Sequence, residues 1–247
     1  MNQSILLSMN VSTHPTAVIA DEAAANLLAN WLTSQGVRTL MLASGNTPIE
    51  LYRRIAERKL PLKHLTVFAL DEYVGVPLDE PRNTANLLRR AAVEAWGIPP
   101  TQFFSVSSLE SEAPASIQQH ERRIAEVGGL DVIVLGLGQN GHLAFNEPGS
   151  EPDSSGRVLD LETISIEANR KWFGGEYAPA KGVTVGLKTI LAARQVVIQA
   201  YGPHKTAAVK AMVEGKVGSH CPASFLQQHS NVHVFLDAAA AASLKFR

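Results

Sequence analysis

Apolar residues in this chain fall in short runs separated by longer amphipathic stretches. The runs at Thr16–Ala20, Thr39–Ala43, Leu65–Leu70, Phe103–Val106, Leu130–Leu135, Gln195–Ala200 and Val232–Leu236 have the length and apolar character of buried strands. Between them, Asp21–Ser34, Pro48–Arg58, Thr84–Trp96, Ala115–Val127 and His204–Glu214 repeat apolar positions at helical spacing. Consecutive parallel strands need crossovers of this length. The alternation therefore predicts an α/β chain: a three-layer, doubly wound, mostly parallel sheet with helices on both faces. The run Ala238–Ala242 reads as a terminal helix started by Asp237.

No internal repeat or low-complexity linker divides the chain, so residues 1–247 are expected to form a single domain. One stretch breaks the alternation. Gly149–Lys181 is rich in Gly, Pro, Ser and charge, and an insertion of that length reads as an active-site lid, a binding loop or a disordered segment.

Charge is nearly balanced, with 22 Lys and Arg against 23 Asp and Glu, which leaves no broad basic field for nucleic acid or an anionic membrane. An anion must be held by a local site. The single cysteine, Cys221, excludes an intramolecular disulfide or a cysteine metal cluster. Met1–Thr13 lacks the basic and apolar regions of a secretory signal, and no apolar run reaches the roughly 20 residues that cross a bilayer. A cytoplasmic protein is the expectation.

Four motifs follow four of the expected strands. In Ser44-Gly45-Asn46-Thr47-Pro48, Thr47 is placed as a helix N-cap, Pro48 as the first helical residue and Glu50 as the partner in a capping box. Helix starts bind anions through free N–H groups, so this loop is a candidate phosphate site; the plainer reading is a well-capped turn. In Tyr201-Gly202-Pro203-His204-Lys205, a lysine at a helix start opposes the helix dipole unless an anion balances it, or is simply solvated. Asp71, in Leu70-Asp71-Glu72-Tyr73, ends its strand where a partly desolvated carboxylate can act as a general base, or where it merely caps a turn.

The fourth motif, Gly136-Leu137-Gly138-Gln139-Asn140-Gly141-His142, has the glycine spacing of a dinucleotide site, but Asn146-Glu147-Pro148-Gly149 interrupts the helix that such a site requires. Its glycines point instead to tight turns and close approach, with His142 and Glu147 in one loop, where a carboxylate can orient an imidazole or make a structural hydrogen bond. His142 and Glu147 lack a third metal ligand nearby, and the chain has no phosphate loop of the nucleotide-hydrolase type. All four motifs fall at the edge where open α/β sheets bind ligands. Together they describe a sugar-phosphate site with proton-transfer groups.

Gly138–Gly149, with Leu70-Asp71-Glu72-Tyr73-Val74-Gly75 and Ser44-Gly45-Asn46-Thr47-Pro48, resembles the glucosamine-6-phosphate and galactosamine-6-phosphate deaminases from about Ala20 to Leu236. The resemblance implies an enzyme that opens and isomerises a hexosamine 6-phosphate and releases ammonia, with no metal or cofactor. It implies that Asp71 takes the C2 proton, that His142 oriented by Glu147 assists ring opening, and that Asn140, often Asp in this family, acts by hydrogen bonding. It further implies that Ser44, Gly45, Asn46, Thr47, Lys205 and Arg170 hold the phosphate.

The related 6-phosphogluconolactonases share the Gly-His but differ after it, which makes Glu147 the discriminating residue. Val183–Lys188 and Pro222–Leu226 look at least as much like the galactosamine branch, so the C4 configuration of the substrate stays open. Sugar-sensing regulators of related fold need a DNA-binding segment, for which a first strand near Thr16 leaves no room. Longer deaminases form regulated hexamers; this shorter chain is expected to be a monomer or small homo-oligomer.

Overall fold

The structure is a computed structural model that describes residues 9–245; Met1–Ser8, most of the segment read for a secretory signal, and Phe246–Arg247 lie outside the described residues. In chain order the elements are β1 (Asn10–His14), α1 (Ala17–Leu32), β2 (Thr39–Leu42), α2 (Asn46–Glu57), β3 (Thr66–Ala69), β4 (Asp71–Tyr73) and α3 (Thr84–Leu88), which runs on into a π-helical turn over Arg89–Glu94. There follow β5 (Phe103–Phe104), α4 (Ala113–Glu126), β6 (Val132–Gly136), β7 (Arg157–Asp160), α5 (Thr163–Trp172), β8 (Lys181–Thr184) and α6 (Leu187–Leu191). The chain closes with β9 (Gln195–Ala200), a 3₁₀ turn at Pro203–Lys205, α7 (Thr206–Glu214), a second 3₁₀ segment at Pro222–Gln228 and β10 (Val232–Asp237).

Seven strands form one sheet in the order β1-β10-β9-β6-β2-β3-β5, every neighbouring pair parallel. Strand side chains alternate between two cores. Met41, Phe68, Ile133, Leu135, Val196 and Ile198 face a core completed by Ile117 and Ile124 of α4, Ile190 of α6 and Val209 and Met212 of α7. Leu40, Leu42, Val67, Val132, Val134 and Val197 face the other, closed by Leu28 and Leu32 of α1, Leu51 and Ile55 of α2 and Leu88 of α3. Burial on both faces explains why the strands read as continuous apolar runs rather than as alternating ones. The three-layer, parallel α/β architecture expected from the sequence is thus the one observed.

Three expectations fail for identifiable reasons. Thr16–Ala20 is not a strand: Thr16 is the N-cap of α1, accepting from the Ile19 N–H at 3.4 Å, and Val18 and Ile19 point outward at 61% and 47% exposure. The first strand is instead the polar Asn10–His14 on the sheet's edge, where polar side chains are tolerated and the apolar signal is weak. Ala238–Ala242 forms turns rather than a helix, because a run this short cannot offset helix nucleation. Asp237 still caps the turn through Ala240 N, and its carboxylate also accepts from Gly202 N at 3.0 Å.

The Gly149–Lys181 segment is neither structureless nor without pattern. It carries β7 and α5 and ends in β8, which joins β4 and β7 in a second, antiparallel three-stranded sheet. Tyr73, Val76, Phe145, Leu161 and Phe173 form a small core beneath it. The chain leaves the parallel sheet at Leu70, and Asp71 pairs in register with Thr184. The strand expected over Leu65–Leu70 is therefore split between two sheets, and the split fixes the backbone at Asp71.

One buried group ties α4 to β3. The His120 ring lies edge-on to Phe68, and its Nε2 is 2.9 Å from the Ala69 carbonyl, so Nε2 carries the proton and donates. Burial pushes its pKa down from 6.5 to about 4. A histidine held neutral in the fold contributes stability that is present above pH 6.5 and lost as pH falls toward 4. Thermal unfolding is expected to show that limb, and His120→Gln is expected to flatten it.

Candidate active site

The ends of β9, β6, β2 and β3, four adjacent strands, meet at the point where the strand order reverses between β6 and β2. Open α/β sheets bind ligands at such switch points. A cleft of about 490 Å³ lies there, within the roughly 300–1,000 Å³ of small-ligand sites. The four motifs found in the sequence all contribute to its wall.

After β2, Gly45 takes the N-cap position of α2 with φ 110°, a conformation that favours glycine. Thr47 therefore lies inside the first turn, and the expected Thr47–Glu50 capping box is absent; Glu50 pairs with Arg53 and Arg54 instead. With no side chain capping this helix start, the N–H groups of the first turn are left for a ligand. Ser44, Gly45, Asn46 and Thr47 all line the cleft. The Ser44 hydroxyl lies 3.0 Å from that of buried Thr84, and Tyr52 Oη donates to the Ala43 carbonyl at 2.7 Å, which pins the loop from both sides.

After β9, Pro203–Lys205 makes a 3₁₀ turn ahead of α7, so Lys205 precedes that helix rather than lying in its first turn. Lys205 Nζ donates to the Leu137 carbonyl at 2.5 Å, and partial burial lowers its pKa. His204 beside it has its pKa lowered by desolvation and then by Lys205, while Asp237 opposes and Lys171 adds to the lowering. Lys171 and Lys205 thus bring two cationic groups to one cleft, beside a His204 biased toward its neutral form.

Arg170, expected to grip phosphate, is exposed and does not line the cleft; Lys171 does. The reason is helical phase. Within α5 the wall is made by Ile164, Ser165, Ala168, Asn169, Lys171 and Trp172, spaced three and four apart on one face, and Arg170 falls outside that face.

Asp71 also lines the cleft and is 7% exposed. Desolvation first, and the neighbouring Glu72 carboxylate second, push its pKa up to about 8; no donor among the described residues stabilises its charge. Glu72 is buried as well. It accepts from Tyr73 N at 2.8 Å, Thr84 N at 3.1 Å and Ala85 N at 3.0 Å, joining β4 to the start of α3.

In the loop after β6, the His142 imidazole lies against Gly138, where a Cβ would stand 2.3 Å from Cδ2; the glycine exists to admit the ring. Asn146 closes a tight hairpin by donating to the Leu143 and Val185 carbonyls at 3.1 and 2.9 Å, turning Glu147 back toward His142. Glu147 Oε2 is 3.1 Å from His142 Nδ1 and accepts from Asn140 Nδ2 at 2.7 Å. Burial opposes the charge of Glu147, but hydrogen bonds from His142, Ser165 and Asn140 overcome it and hold its pKa near 2. An ionised carboxylate can only accept, so Nδ1 carries a proton, and in the neutral ring Nε2 is the free base. Asn140 acts here as a donor, a part an aspartate could fill only when protonated.

Asn140 and Glu147 do not themselves line the cleft; they act through His142. Among the described residues no group of three or more His, Cys, Asp or Glu is placed to hold a metal, and no helix is long and apolar enough to cross a membrane.

An α/β sheet whose switch-point cleft joins an open helix start and lysines to a buried acid and a carboxylate-bound histidine has the groups to hold an anion and to move protons. The chain belongs to the family of glucosamine-6-phosphate isomerases and 6-phosphogluconolactonases, whose model matches residues 14–235. It is 39% identical over 226 residues to the glucosamine-6-phosphate deaminase of Cutibacterium acnes, covering 90% of this chain and 87% of that protein. It is 37% identical over 212 residues to that of Streptococcus equi subsp. zooepidemicus, covering 85% and 89%. A monomeric glucosamine-6-phosphate deaminase superposes with a TM-score of 0.90 at 29% identity, over 95% of this chain and 99% of the other. A 6-phosphogluconolactonase from Trypanosoma cruzi shares the fold, with a TM-score of 0.81 at 20% identity over 99% of this chain and 100% of the other.

Proposed function

We propose that this chain converts glucosamine 6-phosphate and water to fructose 6-phosphate and ammonia. The observation that carries the reading is the pairing, in one cleft, of a desolvated Asp71 with a His142 whose tautomer is set by Glu147. Curated relatives named as deaminases support it.

In this scheme the phosphate lies against the start of α2, held by the N–H groups and hydroxyls of Ser44–Thr47 and by Lys205 and Lys171. His142 carries protons between the anomeric hydroxyl and the ring oxygen, opening the ring. Asp71, as carboxylate, removes the C2 proton; the electron pair forms the C1–C2 double bond while the C1 carbonyl π pair moves to its oxygen, which takes a proton. Once the C2 ammonium has given up a proton, the nitrogen lone pair drives the return of a proton at C1. The nitrogen is then a ketiminium at C2, which water hydrolyses, releasing ammonia and leaving the ketose. Both proton carriers are side chains, so the scheme uses neither metal nor cofactor. The residues of Gly149–Lys181 serve as a lid whose α5 presents Lys171. A monomer or small oligomer is proposed, supported by the monomeric deaminase of similar structure.

A coupled ammonia assay with glucosamine 6-phosphate and its C4 epimer tests the reading. Ammonia from the glucosamine sugar is the expected result; turnover of the galactosamine sugar alone would move the assignment to the epimer, and lactone hydrolysis without ammonia would replace it. Lys171→Ala is expected to raise KM by about an order of magnitude, as for a lost hydrogen bond to a charged group, whereas Arg170→Ala leaves KM unchanged. The reverse pattern would restore Arg170 as the phosphate ligand.

A further inference from the structure

Glu147 receives donors from two different parts of the chain. Its Oε2 is served from its own loop, by Asn140 and His142, but Oε1 is served from the first turn of α5. There the Ser165 hydroxyl donates at 2.5 Å, and the Glu162 N–H lies at 3.4 Å. Ser165 is 4% exposed, and its Oγ also stands 3.4 Å from His142 Nδ1. A hydroxyl has one proton to give. Because Ser165 gives its proton to Glu147, only its lone pairs can face the histidine.

We propose that Ser165 is a positioning residue for His142, holding the imidazole in the Nδ1–H tautomer through Glu147 and through its own acceptor lone pair. The inference deepens the deaminase reading and rests on it for its kinetic consequence. Two acceptors then surround Nδ1, a carboxylate oxygen and a hydroxyl oxygen, and both disfavour the other tautomer, in which Nδ1 would be a bare lone pair. The groups facing this nitrogen are the Glu147 carboxylate from its own loop, the one titratable partner, and the neutral Ser165 hydroxyl from α5. In the neutral ring Nε2 is thereby the unprotonated nitrogen. The same helix face that carries Ser165 carries Lys171, so one rigid element supports both the imidazole and the phosphate cradle.

Nitrogen NMR of the unliganded protein tests the placement without substrate, the His142 signals being identified by their loss in His142→Gln. Wild type and Ser165→Thr are expected to show the Nδ1–H tautomer, and Ser165→Ala a mixture of both. In ammonia release, Ser165→Ala is expected to lose roughly tenfold in kcat, the weight of one hydrogen bond to a charged group, with KM unchanged and with Ser165→Thr restoring the rate. An unaltered tautomer and kcat in Ser165→Ala overturn the proposal, as does an equal loss in Ser165→Thr. If wild type releases no ammonia while the tautomer still shifts in Ser165→Ala, the positioning role stands and the deaminase reading falls.

Discussion

Asp71→Asn is expected to lower kcat for ammonia release by about 10²–10⁴-fold, the usual weight of a general base, and at the same time to raise the melting temperature. Both effects have one cause. The Asp71 carboxyl is buried at the cleft wall without a donor, beside the Glu72 carboxylate, and its pKa stands near 8 instead of 3.8. The unfolded chain ionises this group freely while the fold resists doing so. The wild-type fold therefore loses stability as pH rises above 3.8, and the loss is complete above about 8. Asparagine has the same shape and no charge to desolvate. The stability gain is on the order of a few kcal/mol at pH 9 and vanishes in acid. Melting curves of the two proteins across pH check this: the gap must widen upward, and a less stable variant at pH 9 would refute the assignment of an unpaired, desolvated base.

The same pKa shapes the rate. Only the ionised form abstracts a proton, so kcat/KM is expected to fall as pH drops below about 8 in the free protein. Under the proposed function, the C2 ammonium of a bound hexosamine phosphate would place a cation beside Asp71, where burial and Glu72 alone act in the free protein, and would lower the pKa in the complex. The kcat profile should then bend at a lower pH than the kcat/KM profile. A phosphorylated lactone carries no cation and could not produce that separation, so the two profiles also distinguish the hydrolytic alternative.

The location of the site was legible in the sequence because parallel strands bury both faces and leave their chemistry to the loops after them. Asp71, His142 and Glu147 stood out as polar residues just after the most apolar runs, and the structure brings them and the Ser44–Thr47 loop to three adjacent strand ends. Phase within elements was less legible. At α2 the good capping residue Thr47 suggested a cap two positions too late, because Gly45 adopts a backbone conformation that no side-chain chemistry announces. At α5 the loop-like composition of Gly149–Lys181 hid ten helical residues, and without a helix there was no face to show that Lys171 lines the cleft and Arg170 does not. Helical spacing of Ser165, Ala168, Asn169 and Trp172 was the available signal. The second sheet was hidden too: β4, β7 and β8 are short, and β7 is mostly half-buried, so each run is too brief to show a period.

Gly138→Ala is expected to cost about 10²-fold in kcat, as a misplacement of about 1 Å in a catalytic group can, without unfolding the protein. Gly138 does not have the positive φ found at Gly141, so alanine fits its backbone. The conflict is with the imidazole alone: the new Cβ would stand 2.3 Å from Cδ2 and 2.4 Å from Cγ and Nε2 of His142. The backbone cannot yield easily, because Gly138 N donates to the His142 carbonyl at 3.0 Å and closes the loop. The ring must therefore swing away, breaking the 3.1 Å contact of Nδ1 with Glu147 and taking Nε2 from its place in the cleft. KM should change little, since the groups proposed to hold the phosphate lie on other loops and on α5. If the whole effect passes through His142, then adding Gly138→Ala to His142→Ala removes nothing further, because residues that act as one unit are not additive. Two losses that multiply in the double variant would instead show that Gly138 supports the site by a route independent of the histidine.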